Sequence, residues 1–228
     1  MHLILSGEGN SDLGLFCSFK NEFIPGSMYH IIDKIIEKKY DVSYYDMKEE
    51  MITFVPKVEL TKLTKKLPPN TGKKGLKGTA YFRNNAIALA KFSKEKSEDL
   101  TDEVIAILFR DSDGTNSTIK GLWEEKLESI AIGFKIEKFE NGVAMVPNPK
   151  SEAWLLCALK KNSPYQYCEK LEERSGNDDS PSSLKKELND LNISNDKINE
   201  MIQNGEIDIN NINMQSFQVF RDKLESLL

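Results

Sequence analysis

Residues 103–111 read EVIAILFRD, and this stretch constrains the fold more than any other. Its apolar residues are consecutive rather than alternating, which is typical of a strand with both faces covered. Residues 2–6 (HLILS) show the same pattern over a shorter run. Strands of this kind occur in parallel sheets, where helices form the crossover connections. The chain is therefore predicted to be an α/β protein with a mostly parallel, Rossmann-like sheet flanked by helices.

Strand-like and helix-like segments alternate up to about residue 160, which favours a parallel α/β sheet. Helical spacing predicts that one helix begins at Ser27 as its N-cap. The remaining patterns predict helices at 11–20, 27–39, 79–96, 116–131 and 151–161, strands at 40–46, 134–140 and 143–149, and an extended segment at 51–60.

The chain changes character beyond about residue 163. A polar break, GNDDSPSS, is followed by helical patterns at 181–191, 194–204 and 214–227, with no strand pattern among them. We therefore expect an α/β domain at 1–162 and a C-terminal helical extension at 163–228 that packs on it.

Composition excludes several classes of site. The only histidines are His2 and His30, which disfavours a histidine-based zinc site and a Ser-His-Asp triad. The cysteines Cys17, Cys157 and Cys168 are widely spaced and form no CxxC pair, so we expect free thiols rather than a disulfide framework. No apolar run has the length of a membrane span or the form of a signal peptide, so a cytoplasmic location without membrane contact is expected.

Positive charge is concentrated in one segment of an acidic chain. The net charge is -5, yet residues 57–96 contain eleven Lys or Arg and two acids, which is +9 there and -14 elsewhere. The Pro- and Gly-rich part at about 57–78 is predicted to be an inserted loop. A concentrated positive charge of this kind favours contact with a polyanion, DNA or RNA, and the candidate contacts are Lys73, Lys74, Lys77 and Arg83. The alternative is a solvated loop without a partner.

Two pairs of acids follow the two apolar strands. Glu8 and Asp12 come after the first strand, and Asp111 and Asp113 come directly after the second. The carboxyl ends of parallel strands meet at one edge of the sheet, where ligands bind. Clustered carboxylates raise one another's pKa, which a divalent cation relieves. Oxygen ligands select Mg²⁺ or Mn²⁺.

These motifs resemble the Toprim superfamily, in which a Glu follows the first strand and a DxD follows a later one. Here they are Glu8 in SGEGNSD and the two acids of LFRDSDG. Asp12 resembles the second acid of the branch of overcoming-lysogenization-defect (OLD) nucleases. The stretch VPNPKSEAWLLCAL resembles a segment of small uncharacterised Toprim-like proteins and points to Lys150 and Glu152.

The resemblance implies a nuclease that uses two Mg²⁺ or Mn²⁺ ions. Asp111 and Asp113 would be metal ligands, Glu8 a ligand or general base, and Lys150 would neutralise transition-state charge. Asp12 and Glu152 would complete the second metal site. The OLD branch also implies a defence or toxin role with an ATPase partner, which must be a separate protein because the chain lacks GxxxxGK[ST].

Two other functions stay open. DSDGT resembles the nucleophile motif of haloacid-dehalogenase-like phosphatases, with GNDDS at 176–180 as the late acidic motif. Those late acids follow a strand, whereas polar residues precede Gly176 here, and that interpretation leaves Glu8 unexplained. The other alternative is a non-catalytic module that binds nucleic acid.

Overall fold

The structure is a computed structural model of the chain, and it describes residues 1–8, 12–17, 22–67, 79–112, 122–159 and 168–228. Four strands form a parallel sheet in the order β4-β1-β5-β6, which confirms the predicted α/β class. These strands are β1 (His2–Ser6), β4 (Ile52–Phe54), β5 (Val104–Phe109) and β6 (Gly142–Met145). An antiparallel hairpin, β2 (Gly14–Cys17) and β3 (Glu22–Pro25), lies between β1 and the first helix.

The helices of the described residues are α1 (Ser27–Tyr40), α2 (Lys48–Met51), α3 (Lys57–Lys65), α4 (Ala80–Leu100), α5 (Leu122–Ile136), α6 (Ser151–Leu159), α7 (Leu184–Asp190), α8 (Asn195–Gln203) and α9 (Gln215–Glu225). Short 3₁₀ turns occur at Cys168–Leu171 and Ile209–Asn211. Within the described ranges, no helix is both long enough and apolar enough to cross a membrane.

The sheet is covered on both faces, as its apolar strands predict. Alternate residues of β5, such as Ile105 and Ile107, belong to a core shared with α1, α6 and the C-terminal helices α7 to α9. The intervening residues, such as Ala106 and Leu108, belong to a second core shared with α3, α4 and α5. Each strand residue therefore buries its side chain against one helical layer or the other.

The predicted helix at 11–20 is wrong, because residues 14–17 pair with 22–25 as a hairpin. Gly14 has a φ of +127°, a region that favours glycine. A Cβ atom there would lie 2.5 Å from the carbonyl oxygen of Ile24. The apolar spacing that suggested a helix contains no information about this close approach of two backbone segments.

The predicted strand at 40–46 is also wrong. Asp41 ends α1 with a φ of 57°, and the Asp33 carboxylate then accepts bonds from the Tyr44 N–H (2.6 Å) and the Ser43 hydroxyl (2.7 Å). These bonds fold the segment into a loop. The edge strand forms instead at 52–54, within the segment expected to be extended.

The predicted strand at 134–140 is replaced by the last turn of α5 and a tight turn. Phe134 lies on the buried face of that helix, and Lys138 in the turn has a φ of 52°. The N-cap of α1 is Gly26 rather than Ser27, because Ser27 is already helical and its hydroxyl donates to Asn199 at 2.6 Å.

The segment predicted as a basic loop at 57–78 begins as a helix. Residues 57–65 form α3 after Pro56, and Leu60 is buried against α4. Residues 68–78 lie outside the described residues, and with them Lys73, Lys74 and Lys77.

The expectation of free thiols is wrong for two of the three cysteines. Cys157 on α6 and Cys168 form a disulfide, since their Cα atoms are 5.6 Å apart despite a sequence separation of 11. Cys17 is free. The positions of the cysteines in the sequence did not indicate this pairing, because the tertiary structure is what places Cys168 beside α6.

Candidate functional site

The candidate site lies where β1 and β5 end side by side. Ser6 is in register with Leu108, so both strands reach the same edge of the sheet. Glu8 lies just beyond β1, and Asp111 lies just beyond β5. The alternation of strands and helices therefore brings these two predicted residues to one edge although about a hundred positions separate them.

Three predicted carboxylates meet at one serine. Ser151, the first residue of α6, donates its backbone N–H to Asp111 Oδ1 at 3.0 Å. Its hydroxyl donates to Asp12 Oδ1 at 2.7 Å and lies 3.4 Å from Glu152 Oε2. A hydroxyl has one proton to donate, so the shorter bond to Asp12 is the stronger one. The hydrogen bonds of Ser151 join the loop after β1, the end of β5 and the start of α6.

Burial makes ionisation of this cluster costly. It raises the pKa of Asp12, although the Ser151 hydroxyl and the nearby Lys150 oppose the shift. It also raises the pKa of Glu152, again against the attraction of Lys150. The like charge of Asp12 raises the pKa of Glu152 further, and the like charge of Glu8 raises the pKa of Asp12. A cation bound among them would relieve this cost.

Glu8 contacts groups other than Ser151. The Tyr81 hydroxyl donates to Glu8 Oε1 at 3.2 Å. Lys57 Nζ and Arg110 Nε lie 3.6 Å and 3.8 Å from the same oxygen. Two cationic groups and one hydroxyl therefore lie around this oxygen.

Arg110 is a residue that the sequence reasoning missed. Its side chain is fully buried, and Nη1 donates to the carbonyl oxygens of Phe109 (2.6 Å) and Ser6 (3.3 Å). Nε and Nη2 have no hydrogen-bond partner in the part of the chain that the structure describes, and a buried unpaired donor costs about 1–3 kcal/mol. Burial lowers the pKa of Arg110, while Tyr81 and Glu8 oppose the shift. The available signal was a charged residue ending an otherwise apolar strand.

Lys126 on α5 was missed as well. Its Nζ donates to the carbonyl oxygen of Ser112, between the two acids of the DxD motif, and lies 5.4 Å from the ring centroid of Phe82. The Ser112 N–H donates to Pro147 (3.2 Å) and Pro149 (3.1 Å) carbonyls. These contacts fix the turn after Asp111. The available signal was a lysine on the apolar stripe of a helix.

Lys150 is paired with the C-terminal extension. Its buried Nζ lies 2.6 Å from Asp178 Oδ1, and Lys185 Nζ lies 3.4 Å from Oδ2 of the same carboxylate. The hydrogen bond from Lys150 lowers the pKa of Asp178. Asp178 belongs to GNDDS, so this segment reaches the candidate site although no strand precedes it in the described part of the extension.

The remaining predicted residues are less informative. Asp113 lies outside the described residues, as do the three lysines of 68–78. Arg83 lies on α4 and is partly buried, and its Nε is buried without a hydrogen-bond partner among the described residues. Its contact with nucleic acid stays a prediction.

The predicted metal ligands are all carboxylate oxygens, which are suitable ligands for a hard cation. Among the described residues, no three Asp, Glu, His or Cys side chains lie close enough together to ligate one ion. Comparison with known proteins adds no relative: no family model, no curated protein and no solved structure matches the chain.

Proposed function

We propose that this protein is a Mg²⁺- or Mn²⁺-dependent nuclease of the Toprim type that hydrolyses phosphodiester bonds of DNA or RNA. The observation that carries the proposal is the meeting of Asp12, Asp111 and Glu152 at Ser151, beyond the carboxyl ends of the parallel strands. The resemblance of the motifs to Toprim proteins supports the same assignment.

The residues proposed to hold two metal ions are Asp111 and Asp113 at one ion and Asp12 and Glu152 at the other, so that no three of the described acids need to share an ion. The raised pKa values of Asp12 and Glu152 support this assignment, because carboxylates that burial disfavours as free anions gain most from a bound cation. A bound divalent ion would supply charge stabilisation and an activated water at neutral pH.

Side chains of the protein would transfer the proton, neutralise charge and contact the nucleic acid. The Glu8 carboxylate, which lies near Lys57 and Arg110, would be a metal ligand or would accept the proton of the attacking water. Lys150 would neutralise charge that develops on the phosphate oxygens, after exchanging its contact with Asp178 for the substrate. Lys126 would keep the turn after Asp111 in place. The lysines of 68–78 and Arg83 would contact the nucleic-acid backbone. A defence or toxin role with a separate ATPase partner remains part of this proposal.

The test is a cleavage assay on single- and double-stranded DNA and RNA, with Mg²⁺, Mn²⁺ or EDTA. Asp111→Asn is the test variant, and Asp99→Asn is the control, because Asp99 is exposed near the end of α4, at the opposite edge of the sheet. The proposal expects metal-dependent cleavage by the wild type and by Asp99→Asn but not by Asp111→Asn. Equal cleavage by Asp111→Asn, or no cleavage of any substrate by the wild type, would contradict it for the chain acting alone.

One observation keeps the phosphatase as a second candidate. Asp178 of GNDDS contacts Lys150, so an acid of that late segment lies at the candidate site. A phosphatase of this class would carry a phosphoryl group on Asp111 during turnover. Mass spectrometry after a rapid quench would detect this aspartyl-phosphate, which the nuclease never forms. A non-catalytic module would bind nucleic acid equally with and without EDTA and cleave nothing.

A further inference from the structure

We propose that Arg110 binds a phosphate oxygen of the nucleic-acid backbone, at a subsite that Tyr81 covers in this structure. The choice of a phosphodiester as the ligand rests on the proposed nuclease function. The site itself rests on the contacts of the guanidinium.

The unpaired donors of Arg110 form one edge of its guanidinium. Nη1 is used by the carbonyl oxygens of Ser6 and Phe109, which fix the group at the ends of the two central strands. The N–H groups of Nε and Nη2 point to the same side of the planar group, and neither has a partner with hydrogen-bond geometry among the described residues, although the nearby Tyr81 side chain raises the pKa of Arg110. This edge is the fork that binds two oxygens of a phosphate or carboxylate at once.

Glu8 does not occupy that fork. Its Oε1 atom lies 3.8 Å from Arg110 Nε, which is an ion-pair distance beyond a hydrogen bond. The Glu8 carboxylate instead accepts the hydrogen bond of Tyr81. Glu8, the acid that pairs with Arg110 among the described residues, therefore leaves both donors of the fork available to a second oxyanion.

Tyr81 separates the fork from solvent. Arg110 Cζ lies 5.8 Å from the centroid of the Tyr81 ring. Tyr81 is 42% exposed, whereas Arg110 is completely buried beneath it. Because Tyr81 is in the first turn of α4 and faces solvent, we expect a change in its side-chain rotamer to uncover the guanidinium, with loss of its edge contact to Phe82.

The position of the fork suits a backbone phosphate. Arg110 directly precedes Asp111, and Lys57 adds a second positive charge near Glu8. A phosphate held at Arg110 lies next to the carboxylates that are proposed to bind metal. A buried guanidinium whose Nε and Nη2 donors are both available can donate one hydrogen bond to each of the two non-bridging oxygens of a phosphodiester.

The test uses inorganic phosphate as the probe, with binding measured by calorimetry on the full chain in Mg²⁺ and in EDTA. Arg110→Lys keeps the charge but loses the fork, and we expect phosphate affinity to fall by about tenfold or more. Tyr81→Ala removes the cover and its bond to Glu8, and we expect affinity to rise by about two- to tenfold. Tyr40→Ala is the matched control, because Tyr40 is also an exposed tyrosine (44%) and lies at the end of α1, away from the site.

Equal phosphate binding by wild type and Arg110→Lys would overturn the inference. Unchanged phosphate affinity in Tyr81→Ala would overturn the inference as well. If circular dichroism shows that Arg110→Lys is unfolded, the result for Tyr81→Ala decides the question. Phosphate that binds through Arg110 but does not displace a fluorescent oligonucleotide in EDTA would overturn the assignment to backbone phosphate in favour of a free phosphate.

Different results would contradict the proposed nuclease function and the proposed Arg110 subsite. Cleavage of nucleic acid together with phosphate binding that is independent of Arg110 would leave the nuclease standing and remove the subsite. Phosphate binding that depends on Arg110, displaces the oligonucleotide and is accompanied by no cleavage would support the subsite and contradict the nuclease.

Discussion

The backbone N–H of Ser151 donates to Asp111 Oδ1 at 3.0 Å, and this bond joins the start of α6 to the end of the central strand. Because the Ser151 hydroxyl also reaches Asp12, one residue orients carboxylates that are 99 positions apart in the sequence (111 − 12). Ser151 is 1% exposed, so water does not compete for these bonds. Its place is that of a positioning residue in the proposed site.

Replacing Ser151 by alanine removes the hydroxyl bond to Asp12 but keeps the backbone bond to Asp111. We expect the free energy of unfolding to fall by about 1–3 kcal/mol and metal-dependent cleavage to fall by about ten- to a hundredfold. Urea unfolding and the cleavage assay measure the two effects. Ser93→Ala is the control, because Ser93 is equally buried but donates to Leu89 within α4. If the two variants cleave equally well, Ser151 does not position the site.

Asp12 makes the stability of the metal-free protein depend on pH. Burial raises its pKa above the ordinary 3.8, so in the window between the two values the folded chain binds more protons than the unfolded chain. Stability is therefore lost as the pH rises through this window. We expect Asp12→Asn to be more stable than wild type at neutral pH in EDTA, with the difference vanishing below the ordinary pKa.

Urea unfolding at neutral and acid pH measures this difference, and Asp99→Asn again serves as the control because it changes an exposed acid. A stability difference that is the same at both pH values would show that Asp12 acts through packing rather than through its charge.

Trp154 connects α6 to the C-terminal helices. It is fully buried, its ring centroid lies 5.1 Å from that of Phe217 on α9, and its Nε1–H donates to Ser216 Oγ at 2.9 Å. We expect Trp154→Ala to lower the free energy of unfolding by about 3–5 kcal/mol. Val219→Ala, on the exposed side of α9, should change it by less than about 0.5 kcal/mol. Equal effects of the two substitutions in urea unfolding would mean that α9 does not pack on α6.

The disulfide between Cys157 and Cys168 should stabilise the oxidised chain. We expect a reducing agent, or the Cys157→Ser substitution, to lower the free energy of unfolding by about 2–4 kcal/mol. Cys17→Ser is the control, since this thiol is free. Unfolding curves that do not respond to reductant would show that the pair is not bonded in solution.

Much of the fold followed from local patterns. The apolar runs of β1 and β5 predicted a parallel sheet, and helical spacing predicted α1, α4, α6 and α9 with ends a few residues off. These patterns work because long elements repeat one buried face many times. The four-residue strands of the hairpin have no such repetition, so their pairing partners decided their structure.

The candidate site divides in the same way. The acids after β1 and β5 were found in the sequence because strand ends determine where such residues meet. The contacts of Ser151, Arg110 and Lys126 were not found, since each joins residues that are far apart along the chain. The pairing of Lys150 with Asp178 arises from the packing of the C-terminal extension.

The sequence by itself therefore determined the fold class and which acids reach one edge of the sheet, because hydrophobic periodicity and strand order depend on neighbouring residues. Only the tertiary structure decided which carboxylates accept hydrogen bonds from the same residue. It also decided which guanidinium has N–H donors that are not used by the described residues. Hydrogen bonding and burial depend on distances between segments that no local pattern encodes.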